Sequence, residues 1–120
     1  MQDDRKSFTG GLTAPGRLKV SWQEQEYWLT PGESLLLGAG APADIVICEP
    51  FVSRAHATLT WPEAGHSAEL VDHSTNGTLV QTEDQQVTRL HRGAIALWGC
   101  GWLSPVAPLA AATAVRYQHV

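Results

Sequence analysis

At residues 70–78 the chain reads Leu-Val-Asp-His-Ser-Thr-Asn-Gly-Thr, an apolar run, a polar turn and the start of another run. Asn-Gly between two such runs is a strong hairpin signal, because both residues tolerate a positive φ angle. The hydroxyl and amide groups of the turn can bond to their own backbone, and turn chemistry alone favours that local role over ligand binding. The stretch therefore predicts two neighbouring strands joined by a polar loop.

Short runs of the same kind continue on both sides of this hairpin. Residues 17–22 alternate with period two, which places Leu18, Val20 and Trp22 on one face of a strand. The other predicted strands are residues 26–30, 34–37, 44–47, 55–61, 67–71, 78–81, 86–90, 94–98, 102–104 and 115–120. All are shorter than a typical helix and are separated by turn residues, which is the pattern of sandwiches and barrels. The simplest fold class is all-β, with one antiparallel domain.

Length and composition set the number of domains. The 120 residues, 43% of them apolar, suffice for one ordinary core and are too few for two. Residues 1–16 are polar and contain Gly10-Gly11 and Pro15-Gly16, so they offer little apolar surface to offset the entropy lost on ordering. We expect a flexible tail or linker over residues 1–16 and one β-domain over residues 17–120.

Charge and hydropathy exclude several classes of partner. The formal net charge is −4, so the chain lacks the positive field that holds nucleic acid through counterion release. No apolar run reaches the roughly 18 residues of a membrane span, and the first residues do not form a signal peptide. We therefore expect a soluble cytoplasmic chain without nucleic-acid or membrane binding, in which Cys48 and Cys100 are reduced thiols.

The sequence gives little support for a catalytic, cofactor or metal site. Residues 38–43, Gly-Ala-Gly-Ala-Pro-Ala, match a dinucleotide-binding pattern, but a β-branched run follows them where the phosphates would need a helix N-terminus. The five histidines, His56, His66, His73, His91 and His119, show none of the close spacings of a zinc site. There is no Gly-x-Ser-x-Gly elbow of a hydrolase. We expect a non-enzyme without a cofactor or metal.

A second informative stretch lies at residues 50–57, Pro-Phe-Val-Ser-Arg-Ala-His-Ala, where a loop runs into a strand. Together with the 70–78 turn it supplies the hydroxyls of Ser53 and Thr75, the cation of Arg54 and the amide of Asn76. Hydroxyl, guanidinium and amide groups are the donors and acceptors that can hold a phosphate and an extended peptide backbone.

These two stretches, in this order and spacing, resemble the forkhead-associated (FHA) domain family. The resemblance rests on the Ser-Arg-Ala-His and Ser-Thr-Asn-Gly-Thr strings, with Gly38, residues 44–47, Leu90 and residues 93–95 at matching distances. It covers about residues 35–97, and with the flanking strands about residues 17–120. It implies a β-sandwich of about eleven strands whose loops at one end bind phosphothreonine peptides.

The resemblance also implies roles for individual residues. Ser53 and Arg54 match the positions that contact the phosphate, while Thr75 and Asn76 match those that contact the phosphothreonine and the ligand main chain. Structural support is implied for the three remaining motif residues, Gly38, His56 and Gly77.

One position departs from the family pattern. The arginine that makes the main charge contact with the phosphate is replaced by Ala39, and a methyl group cannot replace a bidentate guanidinium. Arg54 or Arg92 can supply charge in its place. We therefore expect weak or lost binding of phosphothreonine peptides.

Two classes of function remain open. The first is a non-catalytic protein recognition module within a larger signalling protein, with a covalently linked catalytic domain as one arrangement. The alternative is a phosphate-independent structural or oligomerising β-sandwich module whose loops serve no peptide ligand. The expected partner is a phosphothreonine-containing or an unphosphorylated protein segment. An exposed Trp61, Trp98 or Trp102 would anchor such a partner.

Overall fold

The computed structural model describes residues 16–106 and 113–120, and their regular structure consists of strands. No helix in these ranges could cross a membrane. The strands are β1 (Leu18–Trp22), β2 (Gln25–Leu29), β3 (Ser34–Gly38), β4 (Ile45–Val46), β5 (Ala57–Thr60), β6 (Glu69–Asp72), β7 (Thr78–Gln81), β8 (Val87–Leu90), β9 (Ala94–Ala96), β10 (Cys100–Ser104) and β11 (Val115–His119).

The strands form two sheets that pack face to face. One sheet has the order β9-β6-β5-β3-β4, and the other has the order β2-β1-β11-β10-β7-β8. The prediction of an all-β, largely antiparallel sandwich of about eleven strands is confirmed. Two details differ. β4 runs parallel to β3 and is only two residues long, whereas the sequence predicted a strand over residues 44–47. The hairpin predicted at Asn76-Gly77 is wrong, because β6 and β7 lie in different sheets and the 73–77 loop crosses from one sheet to the other.

The core follows the period-two pattern of the sequence. In β1, Leu18 and Val20 are fully buried, and in the facing sheet Leu37 and Leu59 are buried as completely. Each buried side chain of this size contributes roughly 1.5–3 kcal/mol relative to an exposed one. The core therefore lies between the sheets, and the loops at either end can carry polar groups.

The loops divide between two ends, which we call the upper and lower ends. The upper end is where β3, β6 and β8 finish and β5, β7 and β9 begin. The lower end holds the turns 82–86 and 97–99, together with the pairing of Arg17 and Val120 through two backbone hydrogen bonds of 3.4 and 2.9 Å. The β-domain thus begins and ends at its lower end. The flexible tail predicted over residues 1–16 lies, except for Gly16, outside the described ranges.

His119 lies at the lower end, where both of its ring nitrogens make hydrogen bonds. The Ala68 amide donates to Nε2 of His119, so Nδ1 carries the ring proton and donates to the Gly99 carbonyl at 3.1 Å. The ring also packs edge-on against Trp61, with 5.3 Å between the ring centroids. Burial lowers the pKa of His119, and the hydrogen bond to Gly99 only partly offsets this. The folded chain therefore favours a neutral His119.

This geometry predicts that acid destabilises the protein through His119. The pKa of His119 is lower in the folded chain than in the unfolded chain, so unfolded molecules bind more protons once the pH falls below about 6.5. Stability present at pH 7.5 should decline from there down to the folded-state pKa. Urea unfolding at several pH values measures this, and His119→Asn should remove that part of the pH dependence. Exposed His66 provides the control, since His66→Asn should leave the profile unchanged.

Candidate functional site

The upper end is organised around a close approach between β3 and the loop before β5. The Ala39 amide donates to the Ser53 carbonyl at 3.0 Å, and the His56 amide donates to the Leu37 carbonyl at 2.8 Å. Between them, a Cβ atom on Gly38 would lie 1.7 Å from the Arg54 carbonyl oxygen. Only glycine allows the two backbones to meet at this distance.

We expect Gly38→Ala to destabilise the protein by about 1–3 kcal/mol, because the added methyl group must push backbone aside. Chemical denaturation measures the loss. Gly40 supplies a matched control, since a Cβ there meets no atom within 4 Å, so Gly40→Ala should have little effect. Equal losses for the two variants would show that the contact with Arg54 is not what requires glycine.

His56 connects the two polar loops from behind. It is fully buried; its Nδ1 accepts from the Ser53 amide at 2.9 Å, and its Nε2 lies 2.9 Å from the Gly77 carbonyl. Because Nδ1 accepts, Nε2 carries the proton and donates to Gly77. The neutral ring is thus held by one group from each loop, and no ligand is needed to satisfy it.

In front of His56 the two loops touch directly. The Thr75 amide donates to Oγ of Ser53 at 3.2 Å, and Nδ2 of Asn76 donates to the Phe51 carbonyl at 3.2 Å. Phe51 has a φ of 72°, which is uncommon for a bulky residue and marks a strained backbone of the kind that clusters at binding sites. The structure therefore brings Ser53, Thr75 and Asn76 together at the surface.

A buried carboxylate shapes the 73–77 loop. Asp72 accepts hydrogen bonds from the hydroxyls of Thr78 and Ser74, and from the amides of Ser74 and Arg92. Burial opposes its ionisation, but these donors outweigh burial and lower the pKa of Asp72. Ser74 in turn accepts from the Gly77 amide at 2.7 Å. The loop is therefore held in one shape by an anion beneath it.

The outer side of the same loop is held by three basic side chains. Successive carbonyls of Ser74, Thr75 and Asn76 accept from Arg92, His91 and Arg89, respectively. The Arg92 contact is 3.0 Å and uses Nε, so its terminal nitrogens are not engaged by this bond. These contacts fix the loop and concentrate positive charge beside it, although the chain as a whole is acidic.

Several groups at this surface keep free bonding capacity. Ser53 uses its oxygen as an acceptor, which leaves its O–H as a donor. Within the described ranges, the Thr75 hydroxyl and Oδ1 of Asn76 have no partner, and the exposed Arg54 makes no side-chain hydrogen bond or ion pair. The surface thus offers two hydroxyl donors, one guanidinium and one amide oxygen.

A cleft of about 290 Å³ opens next to Asn76. Its walls combine the Arg89 guanidinium with apolar surface, and the lining residues are Phe51, Asn76, Gly77, Leu79, Arg89, Pro105 and Val106. Phe51 leaves 79% of its surface exposed here. A cleft with an apolar wall and one cation can accommodate a side chain with an apolar body and a polar end.

The structure places all seven sequence-predicted residues at the upper end. Asp72, Arg89 and His91 also belong to the site and were missed in the sequence. An acidic residue two positions before Ser74 is the pattern of a local side-chain turn and could have indicated Asp72. Arg89 lies in β8 and His91 directly follows that strand, so no local pattern in the loop marks them.

The described residues were also searched for a metal site, a dinucleotide-binding loop and paired cysteines. No group of three or more metal-ligating side chains lies together there. Residues 38–43 lead from β3 to β4 without a helix, so the glycine-rich pattern is a connecting loop. Cys48 and Cys100 are free thiols, exposed and half-buried respectively.

Fold and loop geometry define a β-sandwich with a polar surface, flanked by arginines, at one end. The sequence model of the FHA domain matches residues 35–99, and the chain belongs to this family. FHA domains are phosphopeptide-binding protein-interaction modules. No curated protein sequence matches the chain.

Solved structures show the same fold. The FHA-1 domain of Mycobacterium tuberculosis Rv1747 superposes with a TM-score of 0.66 at 20% identity, over 88% of this chain and 98% of that one. The MEK1 FHA domain with a HOP1 pThr318 peptide gives 0.65 at 15% identity, over 87% and 97%. Mycobacterium tuberculosis EmbR with a low-affinity phosphopeptide gives 0.63 at 20% identity, over 87% of this chain but 24% of that one.

Proposed function

We propose that this chain binds threonine-phosphorylated protein segments through Ser53, Arg54, Thr75 and Asn76, with low affinity because Ala39 stands where the family has an arginine. The observation that carries the proposal is the bond from the Thr75 amide to Oγ of Ser53, which brings the two loops into one surface. The MEK1 FHA domain, which shares the fold, was solved with a phosphothreonine peptide.

Each residue has a distinct part in this function. The hydroxyls of Ser53 and Thr75 donate to phosphate oxygens, and Arg54 supplies the charge that Ala39 lacks. Oδ1 of Asn76 accepts an amide of the peptide backbone, while its Nδ2 stays on Phe51. Gly38, His56 and Gly77 hold the loops in place. No group in this set performs chemistry on the peptide, so the module recognises and does not catalyse.

The neighbouring cleft selects a side chain of the bound segment. Arg89 already donates to the Asn76 carbonyl and presents its cation at the cleft wall. An acidic side chain there would gain a charge-assisted hydrogen bond, whereas a basic one would be repelled. The preferred partner therefore carries an acidic residue on the Asn76 side of the phosphothreonine.

The module acts as part of a signalling protein in the cytoplasm, joined to other domains in a longer chain. Support comes from EmbR, in which the matching region makes up 24% of the chain. The net charge of −4 argues against nucleic acid as the partner. Residues 17–120 form the module, and residues 1–16 act as a linker.

Nuclear magnetic resonance detects binding too weak for calorimetry and locates it. With millimolar phosphothreonine peptide, amide shifts should concentrate at residues 53–54 and 75–77, while the unphosphorylated peptide should leave them in place. Arg54→Gln should weaken the effect, and Arg116→Gln on the outer face of the six-stranded sheet is the matched control. Shifts spread over that outer face, or equal shifts with both peptides, would contradict the proposal.

A phosphate-independent role is the second candidate. Ala39 supports it, as does Trp98, which leaves 53% of its surface exposed at the lower end. By contrast, Trp61 is buried and Trp102 is half-buried beneath Arg116, so neither is a free anchor. Equal binding of both peptides in the resonance experiment would favour this candidate.

A further inference from the structure

Both loops of the proposed peptide-binding surface depend on one titratable side chain, His56. Its ring has no exposed surface, and it bonds to the Ser53 amide through Nδ1 and to the Gly77 carbonyl through Nε2, both at 2.9 Å. Ser53 also carries one of the proposed phosphate donors, and Gly77 directly follows the proposed backbone-binding amide of Asn76. The charge of this ring is therefore coupled to the shape of the surface. We call the arrangement with both ring bonds formed the closed form.

The closed form requires a neutral ring. A charged imidazole carries a proton on both nitrogens, so the proton on Nδ1 of His56 would face the N–H of Ser53, and two donors would oppose each other. Because the ring has no exposed surface, water cannot solvate the added charge in this arrangement. Protonation therefore requires the loop around Ser53 to move away from the ring.

The charges around the ring do not stabilise its protonated form. Among the described residues, the titratable and charged side chains of the loops and strands around His56 are Arg54, Asp72, His73, Arg89, His91 and Arg92. Asp72 is the one anion of this set, and both of its oxygens already accept hydrogen bonds from Ser74, Thr78 and Arg92. None of these side chains bonds to the ring, whose two partners are backbone groups. A proton on Nδ1 therefore meets no acceptor in the closed form.

The contacts that join the two loops in front of the ring are exposed. The bond from the Thr75 amide to Oγ of Ser53 and the bond from Nδ2 of Asn76 to the Phe51 carbonyl are both 3.2 Å long and reach solvent. Exposed loop contacts open at a lower free energy than the buried strands of a core. The loop around Ser53 can thus separate from Thr75 while the two sheets stay packed.

We propose that protonation of His56 opens the two loops, so that acid releases the bound phosphothreonine segment. The inference rests on the proposed function, because it concerns regulation of the same surface. A ligand that binds only the closed form stabilises the neutral ring, and affinity therefore falls as the pH drops through the histidine range, about pH 8 to 5. His91 has the opposite effect. Its Nε2 can donate to the Thr75 carbonyl in either charge state, and a charged ring there attracts the phosphate.

Nuclear magnetic resonance of the peptide-free chain tests the opening itself. Long-range proton–nitrogen spectra report the charge of the His56 ring, while amide spectra follow Ser53, Gly77 and the core strand β1. As the pH is lowered from about 7.5 to about 5, charging of the ring should coincide with shifts of the Ser53 and Gly77 amides, and β1 should keep its folded spectrum. Charging without a change at these two amides would overturn the proposal. A ring that stays neutral until the whole chain unfolds would do so as well.

His56→Gln is the matched variant for the effect on binding, because glutamine offers one acceptor and one donor without titrating. The affinity of the native chain for a phosphothreonine peptide should fall with pH more steeply than that of the variant, by up to about tenfold per pH unit for one proton. The phosphate also loses charge near a pH of about 6, but it does so equally in both titrations. His73→Gln is the control and should keep the native slope.

Equal slopes for the native chain and His56→Gln would overturn the proposal, because the phosphate alone would then account for the pH dependence. A native slope that is lost in His73→Gln would also overturn it. If no phosphopeptide binds at any pH, the proposed function fails, whereas the opening of the loops is still decided by the peptide-free spectra. The two failures are therefore distinguishable.

Discussion

Ala39→Arg should raise the affinity for phosphothreonine peptides by about ten- to a hundredfold, because it adds the bidentate charge contact that the native chain lacks. A hydrogen bond to a charged group contributes about 1.5–3 kcal/mol, which corresponds to this range. The position is suitable, since the Ala39 amide is bonded to the Ser53 carbonyl at 3.0 Å and the residue is only half-buried. Nuclear magnetic resonance titration of the native chain and of the variant measures the change in affinity.

Two further variants show whether the gain arises at the proposed surface. Ala41→Arg places the same charge in the same loop without the bond to Ser53, so it should gain little. Asn76→Ala added to Ala39→Arg should remove the gain, because the amide that holds the peptide backbone is lost. If Ala39→Arg improves the binding of no phosphopeptide, the loops do not form a phosphate pocket, and the phosphate-independent candidate becomes the better account.

His56→Ala should cause the largest loss of stability among the variants considered. The Ser53 amide and the Gly77 carbonyl both lose their partner, and each buried group left unsatisfied costs about 1–3 kcal/mol. We therefore expect the free energy of unfolding to fall by about 2–6 kcal/mol, measured by urea denaturation.

The exposed His73 provides a control for this variant, because its ring makes one contact of 3.2 Å to the Thr58 hydroxyl. His73→Ala should cost less than about 1 kcal/mol. A chelator or added zinc should not alter the stability of the native chain if His56 serves the loops alone. A clear response to either reagent, or equal losses for the two variants, would contradict this role.

Strand positions could be predicted because they depend on local patterns. The alternation of Leu18 and Val20 reflects the chemistry of a few adjacent residues. The Asn-Gly pair at Asn76 likewise marked the position of a loop, but it did not show that β6 and β7 lie in different sheets. The parallel pairing of β4 with β3 could not be predicted, because it depends on which distant backbone groups are left to pair. The burial of Trp61 likewise depends on contacts made in the fold. Its ring packs against His119, which is distant in the sequence, and its Nε1 donates to the Gly65 carbonyl across a turn.

The candidate site shows the same division. Ser53 and Thr75 stand out in the sequence as parts of two strings, while their hydrogen bond spans 22 positions and becomes visible only in the fold. Arg89 reaches the Asn76 carbonyl from the neighbouring strand, and this contact depends on the register of Leu79 with Arg89. Spacing along the chain carries no signal of that register.

The most direct test of the account is a titration of the native chain with a library of phosphothreonine peptides, with the unphosphorylated peptides measured alongside. The account predicts binding that requires the phosphate, is weaker than low micromolar, and is reduced by Ser53→Ala and by Thr75→Val. Binding of unphosphorylated peptides with the same affinity as their phosphorylated counterparts would contradict it.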